Sequence, residues 1–130
     1  MSTLEVSNLN DGTTTVATTF VTNGSAKAWV NWTGTGTVAI KDSLNTSSIT
    51  DDGTGIYTIN YSSSFANIGY ALSLAGKETS GSTHGSNVDR LFHPSRVPYE
   101  TGLTKVTSVN LTGATRDLED CTSATHGDLA

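Results

Sequence analysis

Apolar and polar positions alternate through most of the chain. Ala28, Val30 and Trp32 alternate with Lys27, Trp29 and Asn31, which predicts a strand carrying a tryptophan on each face. Val38 and Ile40 alternate with Ala39 and Lys41 and predict a second strand. Thr33-Gly34-Thr35-Gly36 between the two reads as the turn of a hairpin. Leu44 to Ile49 is shorter and more polar. Asp51-Asp52-Gly53-Thr54-Gly55 is another turn, followed by the alternating Tyr57, Ile59 and Tyr61. Tyr70, Leu72 and Leu74 predict the next strand. Gly76 to about Gly102 reads as a loop, and its Pro94 and Pro98 argue against helix.

Thr104 to Leu111 reads as a strand, but Val106 and Val109 are three apart, which predicts a bulge or a half-buried strand. Leu118 to Thr125 is the last candidate strand, with weak alternation. No segment places apolar residues at i, i+3, i+4 and i+7 over three turns. Turn signals recur about every ten residues, the spacing of a sandwich or barrel. The expected core is Val30, Trp32, Val38, Ile40, Ile49, Tyr57, Ile59, Tyr61, Tyr70, Leu72, Leu74 and Val106.

The first 25 residues have a different texture. Leu4, Val6 and Leu9 are the only apolar side chains between Met1 and Val16, and Leu4/Val6 suggests a short strand. Asn10-Asp11-Gly12 and Asn23-Gly24-Ser25 are turn signals. Thr13 to Thr22 is rich in β-branched residues and favours an extended conformation over a helix. The expected organisation is an all-β chain. Residues 1–25 form an extended N-terminal arm used for docking or oligomer contact, and residues 26–130 form a β-sandwich or jelly-roll-like domain.

Composition adds one constraint. Val, Ile, Leu and Phe supply 27 of 130 residues, whereas Thr, Ser and Gly supply 52. A core this thin is marginal for a lone small domain. The single Cys121 excludes an intrachain disulfide and any multi-thiolate zinc site. Self-association is then the remaining common route to more burial, and a homo-oligomer is expected. Trp29, facing away from Val30 and Trp32, is the candidate subunit contact. Stacking on a sugar is the other reading of that ring. A net charge of −5, with no block of like charge, gives no attraction to nucleic-acid phosphates. No apolar run approaches the roughly 20 residues that span a bilayer. Nor do the first twenty residues read as a secretion signal. Neither nucleic acid nor membrane is an expected partner.

Candidate chemistry is sparse. His84, His93 and His126 are scattered and fit no metal-ligand spacing, so solvated loop histidines are the plainer reading. Asp51-Asp52-Gly53 lacks the alternating carboxylates and closing glutamate of a calcium loop and reads as a β-turn. There is no Gly-x-Ser-x-Gly elbow, and Thr33-Gly34-Thr35-Gly36 lacks the Gly-Lys-Ser/Thr ending of a phosphate loop. Cys121 has no evident activating neighbour, and Glu119 and Asp120 would oppose thiolate formation if close. The Asn-x-Ser/Thr sequons at Asn23, Asn31, Asn45, Asn60 and Asn110 are expected by chance in so Ser/Thr-rich a chain. No catalytic residue, cofactor or metal is assigned, and no enzymatic role is expected.

One long string carries more. Ala26-Lys27-Ala28-Trp29-Val30-Asn31-Trp32 is followed by Gly34-Thr35-Gly36-Thr37-Val38-Ala39-Ile40 and Asp42-Ser43. Ser47-Ser48-Ile49-Thr50-Asp51-Asp52-Gly53-Thr54-Gly55 and Tyr57-Thr58-Ile59-Asn60 complete it. In order and spacing it resembles a β-rich domain of marine and freshwater tailed phages, cyanophages included, labelled tail fibre or virion structural protein. The opening Met1-Ser2-Thr3-Leu4-Glu5-Val6 and the ending His126-Gly127-Asp128-Leu129-Ala130 are also similar to that group. The match is dense over residues 26–75 and thin over 76–115. The resemblance implies a protein of the virion, most simply a small fibre or tail-associated adhesion module docked through its arm. Its partners would be sister chains, with a trimer favoured, other virion proteins, and host surface polysaccharide or receptor. A capsid decoration protein is the alternative. A third reading, a polysaccharide-degrading enzyme, has no motif behind it.

Overall fold

The computed structural model of the chain describes residues 2–77, 90–92, 99–110 and 112–130, with the backbone path alone for 90–92. Among the described residues strand accounts for 52% and helix for 7%, so the all-β expectation holds. The sandwich begins with β3 (Ala28–Thr33) and β4 (Ala39–Leu44), joined by the predicted Gly34–Gly36 turn. β5 (Thr46–Gly53) and β6 (Ile56–Tyr61) form the next hairpin. β7 (Ala71–Lys77), β8 (Arg90–Phe92), β9 (Leu103–Val109) and β10 (Asp120–His126) complete two four-stranded antiparallel sheets. Their orders are β4-β3-β10-β7 and β5-β6-β9-β8. Much of what reads as a loop after Gly76 lies outside the described residues, His84, His93, Pro94 and Pro98 among them. Within that stretch, β7 runs on to Lys77 and β8 adds an edge strand against β9.

The chain passes between the sheets at Asn45, whose φ of 52° lies in the left-handed region that asparagine tolerates. Asn45 also holds the corner by hydrogen bonds to Ser63. Register shifts fall between Asn31 and Trp32 opposite β4 and at two points along β5. Both β4 and β5 are edge strands, where a bulge bends the edge and discourages further pairing. Of the two expectations near Val106, the half-buried strand holds and the bulge is absent. β9 keeps regular register with β6 and with β8, and it turns Thr104, Val106 and Ser108 inward. Val109 lies on the opposite face. Counting apolar residues failed there because Thr and Ser occupy two of the three inward positions.

Seven of the expected core residues are buried: Val30, Trp32, Tyr57, Ile59, Tyr61, Tyr70 and Val106. The other five, Val38, Ile40, Ile49, Leu72 and Leu74, are half-buried against them. Ala28, Phe65, Leu118 and Cys121 complete the core. Phe65 sits in the β6–β7 connection, where no alternation marks it. Its ring centroid lies 4.9 Å from that of Tyr61 and 4.8 Å from that of Tyr70. Thr104 then joins the aromatics by hydroxyl bonds, to Tyr61 at 3.0 Å and to Tyr70 at 2.6 Å, and Thr125 meets Tyr61 at 3.1 Å. Threonine is tolerated in this core because each of these buried hydroxyls has a partner.

The other end of the sandwich is held by a polar latch. The Tyr57 hydroxyl lies 3.1 Å from the Gly34 carbonyl and 3.1 Å from the Asp117 carboxylate. The Gly55 amide donates to the same carboxylate oxygen at 2.6 Å, and the Gly34 amide donates to the Leu118 carbonyl at 2.9 Å. Gly34 has to be glycine here, since a Cβ would overlap the tyrosine hydroxyl. Gly55 adopts φ 67°, and a Cβ there would lie 2.6 Å from the Arg116 carbonyl oxygen.

Residues 1–25 are less extended than their β-branched content suggests. β1 (Asn8–Asn10) and β2 (Thr15–Ala17) form a hairpin, and α1 (Thr18–Gly24) follows directly. Thr13 to Ala17 is therefore extended or turning, as expected, but Thr18 to Thr22 is helical. The threonines supply the reason. Thr18 binds the Val6 and Ser7 carbonyls at 3.0 and 3.1 Å through its hydroxyl, and Thr22 returns its hydroxyl to the Thr18 carbonyl at 3.1 Å. These local bonds offset a modest β-branched penalty over so short a helix.

Candidate docking arm and subunit face

The arm is ordered by hydrogen bonds rather than by packing. Asp11 accepts from the Thr13 and Thr14 amides at 2.9 and 2.7 Å, closing the β1–β2 turn. These bonds, that from Thr14 foremost, hold its carboxyl below the usual aspartate range. The Thr18 amide bonds the Ser7 carbonyl at 2.9 Å and sets α1 against the base of the hairpin. At the far end Lys27 donates to the Thr22 carbonyl and to Ser25, which stops the helix just before β3.

The apolar side chains of the arm take no part in a core. No residue of α1 is buried. Leu4 is 83% exposed and Phe20 76%, and Val6, Leu9, Val16 and Val21 are also exposed. Among the described residues of the sandwich, by contrast, exposed large apolar residues are scattered: Leu44, Ile68, Tyr99 and Leu129. A scattered few is ordinary for a protein surface, whereas a concentration on one short module is not. Phe20 was missed in the sequence reading. The available signal was a phenylalanine in an otherwise polar segment with no consistent period.

Trp29 stands where alternation puts it, on the outward side of β3 and half-buried. It pairs with Leu44 on β4 and with Ala124 on β10, and Ala124 pairs in turn with Ser73 on β7. The row therefore offers an indole and an exposed leucine beside small side chains. Asn31, two positions along, keeps a buried side-chain oxygen without a hydrogen-bond partner.

Burial pushes the Cys121 thiol up to about 12, with the Asp117 charge adding to it and Lys41 opposing. The sequence reading pointed to Glu119 and Asp120, whereas the neighbour that acts is Asp117. Tyr57 is raised well above the usual tyrosine range, chiefly by burial, then by its bond to Asp117 and that group's charge. Asp52 accepts from the Thr58 hydroxyl and lies 3.5 Å from the Lys105 ammonium, which serves the turn and the sheet face. His126 ends β10, and His84 and His93 lie outside the described residues. Among those residues no group of three or more His, Cys, Asp and Glu is gathered in a way that could hold a metal ion. No helix among them is long and apolar enough to cross a membrane.

No family model, curated protein or solved structure matches the chain.

Proposed function

We propose that the chain is a structural protein of a tailed bacteriophage virion, a small fibre or tail-associated adhesion module that docks through its N-terminal arm. The observation that carries this reading is the arm itself. Its shape is set by its own hydrogen bonds, while Leu4, Val6, Leu9, Val16, Phe20 and Val21 face outward. The sandwich buries its core without them, so they are free to meet another surface. The resemblance of residues 26–75 to phage tail fibre and virion structural proteins supports the phage setting. In this reading the sandwich faces the host surface, with polysaccharide or a receptor as its ligand. The half-buried Trp29 beside exposed Leu44 faces a sister chain, in a trimer.

Deletion of residues 1–25 tests it. The truncated chain is expected to keep a strand-rich far-ultraviolet spectrum and to be lost from purified particles. Normal incorporation would overturn the docking role. Copy number by gel densitometry of intact particles tests the location. A few tens per particle fit a fibre, and hundreds would move the assignment to capsid decoration.

A further inference from the structure

The arm has the secondary structure of a folded module without the means to hold it in water. α1 is seven residues long, and Thr18, Thr19, Val21 and Thr22 are β-branched. Asn23 and Gly24 add no helix preference. Ala17 stands at the N-cap without a side-chain hydrogen bond, where Asp, Ser or Asn would supply one. The first turn holds no acidic residue and the last no basic one, so the helix dipole is unanswered from within. Nucleating a helix costs a factor of about 10⁻³, which so short a run of weak formers does not recover by propagation. β1 and β2 contribute three residues each, and an isolated two-stranded hairpin is marginal in water at best.

The sandwich lends little support. None of residues 2–25 is buried, and Ala17 and Thr18 alone are half-buried. The bonds to the Asp11 carboxylate and from the Thr18 and Thr22 hydroxyls are all open to solvent. Such bonds choose helix over strand, but each replaces a bond to water at little net gain. Lys27 adds one exposed tie, to the Thr22 carbonyl. Beside it a cleft of about 360 Å³ lies between Asn23 and the sandwich residues Asn67, His126 and Asp128, so the helix end faces polar side chains.

We infer that the arm folds as it docks. In the free chain residues 2–25 are mostly unfolded, and the hairpin and helix form when the virion surface covers their apolar side chains. This rests on the docking role proposed above. Burial is the stabilisation the arm lacks, and docking is the event that supplies it. Until then an unfolded arm disperses Leu9, Val16, Phe20 and Val21 instead of presenting them together on a folded module. Ordering at the moment of contact lowers the affinity for a given area and lengthens the capture reach.

Amide hydrogen exchange and carbon chemical shifts of the purified full-length chain test it by NMR. The Thr18 and Ser25 amides, bonded to the Ser7 and Val21 carbonyls, should be protected less than about tenfold. The Gly34 and Ser108 amides, bonded to the Leu118 and Gly55 carbonyls, should be protected more than about a thousandfold. Carbon shifts of residues 18–24 should lie near coil values. In purified particles, peptides covering residues 1–25 should exchange at least about tenfold more slowly than in the free chain. Arm amides protected like those of the sandwich overturn the inference, as do helical shifts over residues 18–24, or an arm that exchanges as fast on the particle as off it. The docking reading is decided by the deletion test, whereas the state of the free arm is decided by the free chain, so the two fail separately.

Discussion

Tyr57→Phe removes one oxygen atom and tests the latch at the end of the sandwich. In the native chain the phenol lies 3.1 Å from both the Gly34 carbonyl and the Asp117 carboxylate, and Tyr57 is fully buried. The variant leaves the Gly34 carbonyl without that donor, while Asp117 keeps the Gly55 amide. A buried polar group deprived of its partner costs about 1–3 kcal/mol. At roughly 4 °C per kcal/mol for a domain of this size, the midpoint should fall by roughly 4–12 °C. Urea unfolding followed by tryptophan fluorescence gives the free energy, because Trp32 packs edge-on against Tyr57 at 5.9 Å.

The same experiment carries a pH signature. The folded phenol titrates well above its unfolded value of about 10. Its contribution is therefore complete below pH 10 and is lost above it, as the unfolded chain ionises and the folded one does not. The gap between wild type and Tyr57→Phe should stay constant from pH 6 to about 9 and narrow above about 10. Tyr70 and Cys121, raised in the same direction, are present in both proteins and drop out of the difference. A loss under about 0.5 kcal/mol at pH 7 would refute the latch, as would a gap that widens with alkali.

Three further outcomes are expected. Cys121, with its thiol raised to about 12, should resist iodoacetamide at pH 8 in the folded chain and react at once in urea, and rapid native labelling would contradict its burial. Trp29→Glu should weaken self-association about tenfold while the strand-rich spectrum survives, and an unchanged mass would remove that face from the interface. A chelator should leave the melting temperature unmoved, and a large fall would reveal a structural metal.

Alternation by itself determined the β-sandwich and most of its core. Ala28, Val30 and Trp32 lie inward and Trp29 outward because a strand has a side-chain period of two, and nothing tertiary is needed to know it. The Gly34–Gly36 turn was equally legible, since those residues favour turns whatever surrounds them, whereas the turn expected over Asp51–Gly55 narrows to Thr54 and Gly55 because β5 runs on to Gly53. Tertiary structure decided the rest. β10 looked like a weak terminal strand, yet it pairs with both β3 and β7 and turns Cys121, Ser123 and Thr125 inward. Small polar residues can fill a central strand only when partners such as the Tyr61 hydroxyl arrive from the other sheet, and those partners are 64 residues away in sequence. Phe65 entered the core for the same reason, through aromatic contacts that no local pattern records. In the arm, local hydroxyl bonds tipped Thr18–Gly24 into a helix against its β-branched bias.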